Sequence, residues 1–239
     1  MQLIRSILFT AYIFISAPAW AGLMVLSSLW TNYETRYRMA RAWAGSVLWL
    51  SKTLVGLDYE VVGIDNIPVK NTVAMWKHSS AWETLAQFVV FPMQSWVLKR
   101  ELMWIPFVGW ALAGLKPIAI DRKAGRSAVD QVLAQGRDRL AEGLWVIVFP
   151  EGTRMPVGTT RRYGISGALL AQSNELKIIP VAHNAGDYWP RRGWLKRRGI
   201  IKVVIGPPID TAGKTARQAT EDVQQWIESA MADISGNYQ

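Results

Sequence analysis

Between Ser6 and Tyr33 the chain runs for 28 residues without an Asp, Glu, Lys, Arg or His. About 20 apolar residues suffice to cross the hydrocarbon core of a bilayer as a helix, so this run predicts a membrane-embedded helical segment. Pro18 lies near its middle and removes a backbone donor, which leaves a bent or re-entrant insertion open beside a straight crossing. A cleavable signal peptide is a further reading, with Arg5 as its charged start and Ala17-Pro18-Ala19 as its cleavage site. Against cleavage, the apolar run continues through Gly22 to Leu26, well past that site. Arg36, Arg38 and Arg41 follow with only Glu34 opposing them, while Arg5 stands alone before the run. The positive-inside rule then places everything after residue 34 in the cytoplasm. A second apolar stretch, 40–57, is interrupted by Arg41 and Lys52. It reads as an amphipathic helix lying in the interface or returning against the first, or as an ordinary core helix.

Lys and Arg number 27 against 18 Asp and Glu, a net charge of +9, yet only 19% of the residues are charged and 50% are hydrophobic. Such a chain is neither a disordered tail nor an arm made mostly of charge. The basic excess together with 13 Trp points first to an anionic membrane surface, with nucleic acid as the competing reading. With no Cys, disulfides, thiolate metal sites and cysteine nucleophiles are excluded. The length suits one core domain with an appendage, divided as a membrane-inserting helical segment over 1–57 and a body over 58–239.

From Asp58 the pattern changes to short β-rich runs: Tyr59–Val62, Thr72–Trp76, Trp96–Lys99, Pro117–Ile120, Leu144–Phe149, Ile178–Ala182 and Ile200–Ile205. Helical stretches lie between several of them. The clearest spans Arg126 to Glu142, with Val129, Val132, Leu133 and Leu140 on one face; another spans about Lys214 to Met231, with Val223, Trp226 and Ile227 as its stripe. This alternation predicts an α/β fold, a mostly parallel sheet flanked by helices, whose chemistry collects in loops beyond the strand ends.

The lipase elbow, the phosphate-binding glycine loop, the dinucleotide fingerprint and the His-Glu-x-x-His metalloprotease motif are all missing from the sequence. There are two histidines. His78 follows a predicted strand and has a carboxylate, Glu83, five residues on. Ser80 to Glu83 also reads as a capping box, in which Glu83 closes the first helical turn. The two roles are compatible: a carboxylate in the first turn can fix one ring nitrogen and leave the other as a general base. Phe149-Pro150-Glu151-Gly152-Thr153-Arg154 follows an apolar strand; Gly152 lets backbone approach a ligand, and Arg154 offers a planar fork of donors suited to phosphate. Taken alone, that hexapeptide could equally be a surface turn.

At this point the chain resembles the glycerolipid acyltransferases. Four blocks carry the likeness: His78 to Glu83, Lys116 to Arg122 (preceded by Lys99-Arg100-Glu101-Leu102 and Ile105 to Gly109), Phe149 to Arg154, and Ile178 to Ala182. It covers about residues 70–210. Two positions depart from the family pattern: Glu83 stands where Asp is usual, and Lys77 where Asn is common. If Lys77 points into the site it lowers the pKa of His78; otherwise it points to solvent.

The resemblance implies the glycerolipid acyltransferase fold and transfer of a fatty acyl group to the free sn-2 hydroxyl of lysophosphatidic acid. The donor would be acyl-CoA or acyl carrier protein, with no further cofactor and no metal. His78 becomes the base and Glu83 its orienting carboxylate. Backbone N–H groups around Gly152 become oxyanion donors, within a substrate-binding set of Glu151, Gly152, Thr153, Arg154, Arg122, Lys99 and Arg100. The likeness also implies a bacterial-type inner membrane with the body on the cytoplasmic side. There Arg191, Arg192, Lys196, Arg197 and Arg198, interleaved with Trp189 and Trp194, would contact membrane lipids, or dock an acidic carrier protein or the phosphates of coenzyme A, or form a solvated surface face. His183 reads as structural or loop-lining. Another lysolipid acceptor, or a silent membrane-surface binding protein, stays open on the same residues; a nucleic-acid partner is not expected.

Overall fold

The computed structural model describes residues 1–238. Its strands are β1 (Leu57–Val62), β2 (Val73–Trp76), β3 (Gln94–Lys99), β4 (Ile118–Ile120), β5 (Trp145–Val148), β6 (Ile178–His183) and β7 (Gly199–Ile205). They form one seven-stranded sheet in the order β1-β7-β6-β2-β5-β3-β4. Every neighbouring pair is parallel except β6 with β7. The mostly parallel α/β sheet expected from the sequence is therefore present, and each strand lies within two residues of its predicted bounds.

Strands β2 and β5 are buried at every position. Their side chains alternate between two cores, as the period of two along a strand requires. Val73, Met75, Val146 and Val148 enter one core; Ala74, Trp76, Trp145 and Ile147 enter the other. A central strand covered on both faces needs an unbroken apolar run, and that is what both sequences supply.

The first core is closed by α5 (Arg126–Ala141), α6 (Ser166–Gln172) and α8 (Ala216–Ile234). In α5 the buried stripe is Val132, Gly136 and Leu140, while Val129 and Leu133 are only half-buried. A Cβ at Gly136 would lie 2.5 Å from Leu170 Cδ2, so the glycine sets how closely α5 and α6 approach. Helix α8 starts at a capping box between Thr215 and Gln218 and buries Val223 and Ile227.

The opposite core is covered by α1 (Gln2–Ser27), α2 (Tyr33–Leu50), α3 (Glu83–Val90) and α4 (Val108–Ala113). Helix α1 continues through Pro18. Among the described residues it is the one helix long and apolar enough to cross a membrane. It buries Phe9, Ala21 and Met24 against the body and exposes Ile4, Phe14, Ile15, Leu23 and Leu26. Both of its ends are fastened. Gln2 Nε2 donates to Val55 O at 3.0 Å and to Lys196 O at 2.9 Å. At the other end the fastening runs through α2: its Arg36 donates to Thr31 O in the turn after α1 at 2.6 Å and to Gly114 O of the body at 3.3 Å. The second apolar stretch is α2 with a π turn over Ser51–Val55; it returns against α1 and packs its buried Tyr37, Ala40, Ala44 and Val47 on the body. A short helix, α7 (Ala185–Tyr188), and 3₁₀ turns over Ile64–Asn66 and Arg100–Trp104 complete the described elements.

Candidate active site

Because β2, β5, β6, β3 and β4 run parallel, their carboxyl ends share one edge, where ligands of open α/β sheets collect. The loop after β2 carries His78 and the loop after β5 carries Glu151 to Arg154. Lys99 ends β3, and Arg122 lies two residues beyond β4. His78 Nδ1 is 2.8 Å from Glu83 Oε1 at the start of α3. The same carboxylate accepts the Ser79 N–H at 3.0 Å and the Ser80 N–H at 2.9 Å. Only half of the predicted capping box forms, since the Ser80 hydroxyl accepts from Trp82 N rather than from Glu83. Burial works against charge on Glu83, but the His183 and His78 rings and the Ser80 N–H outweigh it and hold the carboxyl below its ordinary range. The His78 ring stacks on Phe149, centroids 4.3 Å apart. Its Nε2 has no hydrogen-bond partner among the described residues.

His78 opens onto a cavity of about 540 Å³. Its polar lining is His78, Thr84, Lys99, Arg122, Thr153, Arg154 and Arg191. The rest is apolar and comes from both the body and the amino-terminal helices, including Trp20, Met24, Trp43, Phe88, Trp96, Leu112 and Leu115. The volume lies in the range of sites that enclose a small organic ligand. An imidazole with one nitrogen free, a fork of guanidiniums and a long apolar wall fit an acceptor with an anionic head and a greasy tail.

A family model described as Acyltransferase matches residues 58–184. The 1-acyl-sn-glycerol-3-phosphate acyltransferase of Pseudomonas aeruginosa is 43% identical, over 98% of this chain and 93% of its own length. The chain belongs to the acyltransferase family. The protein of the same name from Saccharomyces cerevisiae is 29% identical over 76% of this chain and 61% of its own. The crystal structure of the 1-acyl-sn-glycerophosphate acyltransferase PlsC from Thermotoga maritima superposes with a TM-score of 0.80 across both full chains, at 21% identity, a likeness of fold.

In this acyltransferase several anticipated residues stand apart from the cavity. Lys77 points neither into it nor to solvent: its side chain is fully buried, with Nζ 2.8 Å from Glu151 Oε1. Glu151, anticipated as a substrate contact, is held beneath the loop by that ammonium, and its Oε2 accepts the His78 N–H at 2.7 Å. Gly152 takes φ +66°, and no protein atom lies within 4 Å of a Cβ built there; conformation, with open space beside it, explains the glycine. Its N–H is not free for an oxyanion, because it donates to Phe149 O at 2.9 Å. Thr153 and Arg154 N–H make no hydrogen bond among the described residues and take over that candidacy. Arg122 donates to Gly152 O at 2.6 Å while lining the cavity, and burial lowers its pKa against the pull of Glu101. Arg100 pairs with Asp121 at 3.1 Å and does not line the cavity, whereas Lys99 does.

In the basic segment, Arg191, Arg192, Arg197 and Arg198 are exposed. Lys196 is not: it is buried, 2.7 Å from Thr10 Oγ1 on α1 and against the Trp189 ring, and burial lowers its pKa. Trp189 is buried as well, so Trp194 is the exposed indole of this segment. His183 is structural: Nε2 bonds to Lys77 O at 2.8 Å and Nδ1 accepts from Ala185 N, while burial lowers its pKa. Sequence reasoning missed Arg191 as a cavity residue and missed the wall built by α1 and α2. The uncharged run itself was the available signal for that wall, since a helix apolar on every face can line a cavity with one side and expose another.

Proposed function

We propose that this acyltransferase moves a fatty acyl group from an acyl thioester to the sn-2 hydroxyl of lysophosphatidic acid, giving phosphatidic acid. One observation carries the reading: the His78–Glu83 pair, Arg122 and Arg154 face one cavity whose far walls, from Trp20 and Met24 to Phe88 and Leu115, are apolar. The hydroxyl oxygen attacks the thioester carbonyl while His78 Nε2 takes its proton, a contribution of about 10²–10⁴ in rate. Glu83 holds Nδ1–H and stabilises the imidazolium. The tetrahedral oxyanion meets the Thr153 and Arg154 N–H groups, each worth about 3–4 kcal/mol when well placed. Collapse expels the thiolate, which recovers the proton from His78. Arg122 and Arg154 clamp the phosphate.

The thioester is already activated, so the reaction asks for no cofactor or metal beyond the carrier, coenzyme A or acyl carrier protein. The apolar outer face of α1 supports seating in a membrane, and the basic residues flanking it, Arg5, Arg36, Arg38 and Arg41, favour the cytoplasmic side of a bacterial-type inner membrane for the body. Because Gln2 is bonded to Val55 and Lys196, the start of α1 lies on the body's own side, which favours a helix lying in the bilayer surface over one crossing it.

The test is thiol release from a long-chain acyl-CoA and, separately, from the same acyl group carried on acyl carrier protein, with and without lysophosphatidate, for wild type and His78→Ala. Release that requires lysophosphatidate and vanishes in the variant supports the reading. Release with a different lysolipid only, or undiminished release in His78→Ala, overturns it.

A further inference from the structure

Lys77 is left unused by the chemistry above. Its ammonium has three donors, and all three are taken: Glu151 Oε1 at 2.8 Å, Glu228 Oε1 at 2.8 Å and Thr159 O at 3.3 Å. Glu228 lies on α8, outside the segment that the family model matches. Its Oε1 also accepts the Tyr163 hydroxyl at 2.7 Å and the Thr160 hydroxyl at 2.8 Å. The Tyr238 ring lies 5.2 Å from Lys77 Nζ.

We propose that Lys77 is a positioning residue: by bridging Glu151 and Glu228 it holds the Glu151 carboxylate under the His78 N–H, tying the catalytic base to the carboxyl-terminal helix. The inference rests on the reading of His78 as the base. Two carboxylates share one ammonium, with Glu151 fully buried, so without Lys77 they repel each other wherever both are ionised and Glu151 loses the partner that holds it. Burial pushes the Glu151 carboxyl up to about 7 even beside Lys77. Burial also opposes the Lys77 charge, but Glu151 and Glu228 overcome it and raise its pKa.

The other titratable groups facing the bridge are Tyr163 and Tyr238, both raised chiefly by burial, and across the backbone His183, lowered by burial. All three stay neutral near pH 7.

The experiment compares kcat and KM for lysophosphatidate, from acid to alkaline pH, in Lys77→Met, Glu228→Gln and the double variant, with His78→Ala alongside. For Lys77→Met, kcat should fall about 10²-fold, the size of a misplaced catalytic group, with KM little changed. The ratio of variant to wild-type kcat should rise as pH falls from the alkaline end towards 7, because without the ammonium Glu151 takes up its proton above about 7 and the repulsion is relieved. Glu228→Gln keeps the acceptor oxygen but removes a charge, so the double variant should recover much of the loss. Wild-type kcat in Lys77→Met, a change in KM alone, or additive losses with a flat pH ratio would overturn the proposal. If Lys77→Met does not fold, amide exchange in Glu228→Ala decides: faster exchange at His78 with β5 unchanged supports the bridge, and unchanged exchange at His78 rejects it. Activity surviving in His78→Ala would instead sink the assignment of the base.

Discussion

Glu83 puts one methylene more than an aspartate between the backbone and the carboxylate that orients His78. The extra length is used. From the first turn of α3 the side chain reaches back over its own loop, and one oxygen takes the His78 Nδ1, the Ser79 N–H and the Ser80 N–H together. Shortening it to Asp should strand at least one buried donor, at about 1–3 kcal/mol of stability. Turnover should fall with it while lysolipid KM holds, measurable by urea unfolding and steady-state kinetics on Glu83→Asp. The sign with pH follows from a depressed carboxyl. Its stabilising contribution is complete above the ordinary Glu range of about 4 and is lost as pH falls through the lower folded value. Glu83→Gln should therefore flatten the acid limb of the stability curve, and an unchanged limb would deny Glu83 that role. The His–Glu pairing was legible in the sequence because both partners lie within one loop and one helical turn. The destination of Lys77 was not, because Glu228 is 151 positions away and nothing local marks it.

The elements show the same divide. Strands β2 and β5 could be read because burial on both faces forces an unbroken apolar run, whichever core each side chain enters. Helix α1 could be read as apolar, but not as a wall of the cavity, since that depends on how it lies across α2 and α4. Ala17 and Ala21 line that wall with the smallest side chains available short of glycine. Ala17→Trp should fill part of the roughly 540 Å³ and shift preference towards shorter acyl chains. Competition between long-chain and short-chain acyl-CoA checks this; an unchanged ratio would mean that the acyl chains pass elsewhere.

Across the whole molecule, the charge that looked like one basic patch divides by burial. Arg192, Arg197 and Arg198 remain exposed, while Lys196 pins α1 to the body. Each basic side chain near an anionic surface contributes about 1 kcal/mol. Replacing the three arginines by Gln should weaken binding to phosphatidylglycerol vesicles by about 10²-fold at low salt, with the difference shrinking as salt rises. Lys196→Gln should leave vesicle binding nearly intact and lower the unfolding temperature instead; vesicle sedimentation and thermal unfolding together separate the two.

A helix fastened to the body at both its ends has a consequence for the bilayer as well as for the enzyme. A protein seated in this way would draw its acceptor from one leaflet and return its product to that leaflet alone. New lipid would then accumulate asymmetrically, and growth of the opposite leaflet would wait on translocation by other means.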